Sequence, residues 1–272
     1  MIKAIFFDLD GTLLNSKKII TSKTRQTLEQ CKKNGIKLFI ATARHPLLDR
    51  MLLWDDSTLS LFAGGVYYNG GCIEIGNYKE YQFVSDIILQ KVISLVFKYD
   101  KLNISLQLED EIHAFRYPLS DTGYKSWGVT FEESLELEHT GNLRTIKLLV
   151  FYADLIDSII PIPEELIVSL KALCENKSQF YLTDGGKVVQ IMGDSVNKLK
   201  SIEKIRSYLD LKEDEIAVFG DDVNDIEMLS AYTYSFAMGN AENHVKEKAN
   251  YVTLDNNSEG IHHAITDILQ LV

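Results

Sequence analysis

The chain opens Met1-Ile2-Lys3-Ala4-Ile5-Phe6-Phe7-Asp8-Leu9-Asp10-Gly11-Thr12. Residues 2–9 are rich in isoleucine and phenylalanine and are closed by the turn pair Asp10-Gly11, which predicts a buried strand ending on two acids. A helix follows from about Ser22, capped by Ser22 or Thr21, with Leu28 and Cys31 on its apolar face and Asn34-Gly35 at its end. Residues 36–41 (IKLFIA) read as a second buried strand, and Pro46 suits the first turn of another helix. Strand, helix, strand and helix with short connections predict an α/β fold with a parallel sheet.

The pattern returns near the other end. Residues 198–208 read as a helix, 216–219 as a buried strand and 225–231 as a helix. Short strands at 234–237 and 251–252 and a helix over 258–269 follow. Residues 82–188 differ. They hold helices at 86–98 and after Pro163, alternating stretches at 105–108, 112–117 and 145–152, and two short strands around Asp184-Gly185-Gly186. This middle part reads as an antiparallel α+β domain inserted into the α/β one, which is split into residues 1–81 and 189–272.

The length suits one large domain or two modest ones. The 272 residues are 46% hydrophobic and 25% charged, with a net charge of −11. So acidic a chain has no field to hold nucleic acid or an anionic membrane. No apolar run is long enough for a signal peptide or a membrane span, and Cys31, Cys72 and Cys174 are far apart, which reads as three reduced thiols in a cytoplasmic protein. The sequence carries no feature that sets an oligomeric state. So acidic a protein can hold an anionic ligand only by bringing its own local positive charge.

Four elements supply the chemistry, each with a blander reading. Asp8 and Asp10 leave the carboxyl end of the first strand, where ligands bind in open parallel sheets, though Asp-Gly is also a plain turn. Thr42 ends the next strand ahead of Arg44, where a hydroxyl and free amides suit an anion or a simple helix cap. Lys198 starts a helix and alone reads as a solvated lysine. Gly220-Asp221-Asp222-Val223-Asn224-Asp225 follows a buried strand and suits a hard cation, while Asp222 suits a helix start. His45 beside Arg44 reads as a solvated loop histidine. If Asp8, Asp10, Asp221 and Asp225 converge, something cationic must join them. Mg²⁺ and Lys198 fit that need. Asp8 then reads as a nucleophile, Asp10 as general acid and base, and Thr42 and Lys198 as charge stabilisers.

These motifs resemble the haloacid dehalogenase superfamily. DLDGT (8–12), the strand end at Thr42, Lys198 and GDDVND (220–225) are similar to its four motifs in order and spacing. The run Ala237-Met238-Gly239-Asn240-Ala241 and Asn69-Gly70 resemble its Cof-type sugar-phosphatase branch. The resemblance implies a Rossmann-like core with an inserted α/β cap that sets substrate specificity. It implies Mg²⁺ held by Asp8, the Asp10 carbonyl and Asp221, with Asn224 and Asp225 supporting. It also implies substrate-binding positions at Gly11, Thr12, Ala43, Arg44, Asn69 and Asn240. Ala43 and Leu199 replace glycines usual in the family. The expected activity is Mg²⁺-dependent hydrolysis of a small phosphate ester through an aspartyl-phosphate. A phosphomutase and a non-catalytic phosphate-binding module are the alternatives.

Overall fold

The computed structural model describes residues 1–137, 144–152 and 160–272. In chain order, the first strands are β1 (Ala4–Phe7), β2 (Lys37–Ala41), β3 (Gly64–Tyr67), β4 (Cys72–Ile75) and β5 (Tyr78–Tyr81). Then come β6 (Leu102–Leu108), β7 (His113–Phe115), β8 (Ser134–Glu136), β9 (Thr145–Tyr152), β10 (Gln179–Thr183) and β11 (Val188–Met192). Last are β12 (Ile216–Gly220), β13 (Tyr234–Ala237) and β14 (Tyr251–Val252). The chain divides into two units. Met1–Arg44, Trp54–Glu80 and Asn197–Val272 form the first, and His45–Leu53 with Tyr81–Val196 the second.

The first unit is built on a sheet of order β14-β13-β12-β1-β2-β3-β4-β5. It is parallel from β14 to β3, and β4 turns back antiparallel on β3. All four residues of β1 are buried, as a central strand covered on both faces requires. On one face Phe6 stacks on Phe39 at 4.8 Å, and the helices Lys198–Tyr208 and Ile226–Ala231 add Ile202, Ile205, Met228 and Leu229. On the other face Phe7, Phe219, Phe236 and Tyr251 stack in series across four strands, with ring centroids 5.3, 4.7 and 5.0 Å apart.

Local sequence explains most boundaries. The helix Ser22–Lys33 starts because Thr21 accepts a hydrogen bond from the amide of Thr24, and it ends with Lys32 and Lys33 in its last turn, where cations suit the helix dipole. Pro46 lies outside the next helix, Leu48–Leu52. Its carbonyl accepts from the amide of Leu48 at 2.7 Å, so it shapes the approach to the helix rather than its first turn. The last helical stretch begins at Gly260, after Glu259 in the left-handed region, two residues later than the pattern predicts. Strands β3, β4 and β5 were not expected, because Gly64-Gly65 and Gly76 interrupt their apolar pattern.

In the second unit the sheet order is β10-β11-β9-β6-β7-β8. Its ladders are antiparallel except β7 with β8, which pair in parallel, a departure from the wholly antiparallel expectation. The connection between these two strands carries the helix Asp121–Ser126, and such a crossover permits parallel return. Among the described residues no helix is long and apolar enough to cross a membrane.

Candidate active site

Register assembles the site. Phe7 of β1 stands opposite Ile40 of β2 and Phe219 of β12. The residues that follow these three therefore leave the sheet side by side at its carboxyl edge. The Asp8 amide continues the ladder to Phe219 O at 3.0 Å, and the Thr42 amide bonds Val66 O at 2.8 Å. Strand order reverses around β1, which is where open α/β sheets form their ligand crevice.

Lys198 stands between two carboxylates. Its Nζ donates to Asp8 Oδ1 at 2.6 Å and to Asp225 Oδ1 at 2.7 Å, and all three side chains are buried. Burial works against its charge, but Asp225 and Asp8 outweigh that and raise its pKa. Asp225 Oδ2 accepts the amides of Asp221 at 3.0 Å and Asp222 at 3.2 Å. This pins the turn after β12. Gly220 permits it, because a Cβ there would lie 2.5 Å from the Asp225 side chain.

Asp221 accepts from Thr12 Oγ1 at 2.6 Å and from Asn240 Nδ2 at 3.2 Å. The same Asn240 nitrogen donates to Gly11 O at 2.9 Å, so Asn240 ties the first acidic loop to the last. Gly11 has φ +84°, and a Cβ on it would come 2.1 Å from Asp221 Oδ2. The loop's approach to Asp221 thus requires glycine.

Arg44 grips Asp10 with two parallel bonds, Nε to Oδ2 at 2.6 Å and Nη2 to Oδ1 at 2.8 Å. Lys18 Nζ adds a third at 2.6 Å. Partial burial pulls the Asp10 carboxyl up, but Arg44 and then Lys18 prevail and lower it to about 2. Thr42 Oγ1 accepts the Arg44 amide at 3.1 Å. Asn69, buried at φ +58°, donates its amide to Thr42 O at 2.9 Å and accepts from Asn224 Nδ2 at 2.9 Å. Ala43 lies between Thr42 and Arg44 on this strand end. Every site residue expected from the sequence therefore falls in the first unit. Lys18 was missed, since a loop lysine ten residues beyond Asp8 carries no motif.

His45 is a correction. It is 1% exposed rather than solvated, and its ring lies 4.6 Å from that of His113. The aromatic surroundings that bury it are distant in sequence, so the loop context alone suggested solvent.

A divalent cation fits this donor set. Asp8, Asp221 and Asp225 offer carboxylate oxygens within 4.8 Å of one another. Burial, then the neighbouring acids, pushes Asp221 up to about 7. Burial also raises Asp8, despite Lys198. One lysine is too little positive charge for three clustered acids, and an all-oxygen set suits a hard ion. Asp225 accepts three hydrogen bonds, so Asp8 and Asp221 have more free lone pairs for a ligand role.

Comparison with known proteins agrees with this geometry. Residues 5–265 match the family described as haloacid dehalogenase-like hydrolase. A Bacillus subtilis relative, 5-amino-6-(5-phospho-D-ribitylamino)uracil phosphatase YwtE, is 26% identical over 293 residues, spanning 98% of each chain. Among solved structures, the HAD subclass IIB sugar phosphatase BT4131 superposes with a TM-score of 0.80 at 24% identity, covering 99% of this chain and 100% of that one. A HAD/COF-like hydrolase from Plasmodium vivax superposes with a TM-score of 0.83 at 20% identity, covering 100% and 96%. The chain belongs to the haloacid dehalogenase-like hydrolases and is a phosphatase of that family.

Proposed function

We propose that this phosphatase hydrolyses small phosphorylated metabolites, sugar phosphates or similar phosphomonoesters, through an aspartyl-phosphate on Asp8. The observation that carries the reading is a buried carboxylate at the end of the central strand, bonded to a buried lysine at 2.6 Å, with a second carboxylate two residues on. The relative YwtE is named for a phosphate on a ribityl chain, which supports a polyol phosphate as the class.

Asp8, Asp221 and the Asp10 carbonyl would hold Mg²⁺, with Asn224 and Asp225 supporting. Bound there, the ion supplies the charge neutralisation that lets a carboxylate approach a phosphate. Asp8 attacks phosphorus, and the bond from phosphorus to the ester oxygen breaks. Lys198 and Thr42 stabilise charge on the transferred oxygens. Arg44, Gly11, Thr12, Ala43, Asn69 and Asn240 bind the substrate.

Asp10 protonates the departing alkoxide and then takes the proton of the water that hydrolyses the aspartyl-phosphate. With Arg44 and Lys18 on it, Asp10 is ionised and cannot donate. An incoming phosphate competes for the Arg44 fork, and release of that grip lets Asp10 take up the proton it later gives. The inserted unit selects the substrate. Cys31, Cys72 and Cys174 are buried thiols in no disulfide, which supports action in the reducing cytoplasm.

The test is turnover of p-nitrophenyl phosphate by the purified protein with and without Mg²⁺. Activity should need the ion and vanish in Asp8→Asn, and full activity in that variant would refute the nucleophile.

A further inference from the structure

The second unit holds a cavity of about 260 Å³ whose walls are aromatic and acidic. Phe115, Tyr124, Phe131 and Leu135 give it apolar surface, and Glu132 and Glu136 line it as well. The cavity lies wholly within this unit and takes in all three residues of β8, the edge strand of its sheet.

Local structure fixes the walls. β7 and β8 pair so that Phe115 stands opposite Glu136. Tyr124 comes from the helix Asp121–Ser126, which Ser120 caps by accepting the Gly123 amide at 3.2 Å. The turn that carries Phe131 is closed by reciprocal bonds. Glu133 Oε2 accepts the Thr130 amide at 3.0 Å, and Thr130 Oγ1 accepts the Glu133 amide at 3.3 Å. Ser134 Oγ then donates to Phe131 O at 2.7 Å. The three rings meet nearly at right angles. Phe115 and Tyr124 are inclined at 89° with centroids 5.9 Å apart, and Tyr124 and Phe131 at 83° and 6.1 Å. Phe131 is nonetheless 55% exposed and Leu135 43%. Apolar side chains left open around one concavity mark a ligand surface, unlike single exposed residues scattered over a protein.

Charge decides which ligand. Among the described residues no lysine, arginine or histidine lines the cavity. Arg50 reaches this segment but is engaged by Glu133, at 3.0 Å, and stands outside the lining. Aromatic faces attract cations, more strongly where water is displaced, and the Glu132 carboxylate adds to that attraction. A primary ammonium brings three N–H groups that each need an acceptor. A quaternary ammonium brings none, so ring walls and a carboxylate suffice for it. The volume falls below the roughly 300–1,000 Å³ of sites for drug-sized molecules, which suits a small head group. We propose that this cavity binds a small quaternary ammonium ion of the choline type. The proposal concerns the second unit alone and does not depend on the phosphatase reading.

The test is calorimetric titration of the full chain with choline and with 3,3-dimethylbutan-1-ol, in which carbon replaces the charged nitrogen. Choline should bind at least about fivefold more tightly than the alcohol. Phe131→Leu keeps apolar bulk but removes the ring, and should bring the two ligands close to equal. Glu132→Gln should weaken choline about threefold and leave the alcohol unchanged. Both side chains are exposed, so both variants should melt at the parent's Tm. A preference for choline that falls in both variants supports the proposal. No choline binding by the parent, equal binding of the two ligands, or a preference unchanged in either variant overturns it.

Discussion

Lys198 Nζ lies 2.6 Å from Asp8 Oδ1, although 190 residues separate them. The same ammonium lies 2.7 Å from Asp225 Oδ1, so one cation compensates two buried acids. Lys198→Met leaves both carboxylates without it. Breaking a buried pair in this way costs about 3–5 kcal/mol, which should appear as a lower urea midpoint with an unchanged slope. Because the residues touch, Lys198→Met and Asp225→Asn should be less damaging together than the sum of the single changes. Turnover should fall at least about 100-fold.

Asp8→Asn should separate activity from stability. Burial and the charges of Asp225 and Asp221 disfavour the ionised Asp8 carboxyl more than Lys198 favours it. A neutral isostere therefore removes a penalty. Turnover of p-nitrophenyl phosphate should drop to background, while the Mg²⁺-free variant melts at or above the parent's Tm. Melting well below the parent would contradict the electrostatic account.

Mg²⁺ binding should depend on pH through Asp221, which burial and Asp225 push up to about 7. Protons compete with the ion for this carboxylate. Affinity should therefore rise about tenfold per pH unit below that value and level off above it. Thr12→Val removes a hydrogen bond that favours the ionised form, so the transition should move to higher pH. Calorimetric titration of chelator-stripped protein at pH 6, 7 and 8 measures both effects.

Gly11→Ala tests the loop. The new Cβ would meet Asp221 Oδ2 at 2.1 Å in a backbone at φ +84°. We expect a loss of about 1–3 kcal/mol in stability and weaker Mg²⁺ binding. Gly35→Ala, also at positive φ but with nothing within 4 Å of its Cβ, should lose stability alone.

His113 predicts a stability slope in acid. Its folded pKa of about 4 lies below the ordinary value of 6.5 because the ring is buried. The unfolded chain takes up this proton first as pH falls. The stabilising difference is thus complete above about pH 6.5, declines below it, and is lost once pH passes 4. The shift corresponds to roughly 3 kcal/mol. His113→Phe should flatten the dependence of the urea midpoint on pH between 4 and 6.5.

Much of the first unit was legible because its strands are short apolar runs that end on polar residues. The strand and helix holding Asp8, Thr42, Lys198 and Asp221 announce themselves by that change of character. Cys31, Cys72 and Cys174 are all buried. Other features depend on partners far along the chain. Nothing local to His45 tells that His113 will lie against it. Lys18 acquires its place from the path of the loop after β1, not from a motif. The glycines of β3 masked a strand that Phe39, Ile40 and Ala41 hold in register. The parallel pairing of β7 and β8 follows from a crossover whose length alternation does not encode.

The bond from Thr12 to Asp221 spans 209 residues. During synthesis, β1 leaves the ribosome ahead of its neighbour β12, which emerges about 10–40 s later at ordinary elongation rates. For that interval one edge of the most apolar strand has no native partner, and an unpaired strand edge is prone to wrong pairing. Nascent chains are thus most vulnerable in the interval between the synthesis of β1 and that of β12. The strand that ends on Asp8 thus waits for Lys198, Asp221 and Asp225, its charged neighbours, until that later stretch is made.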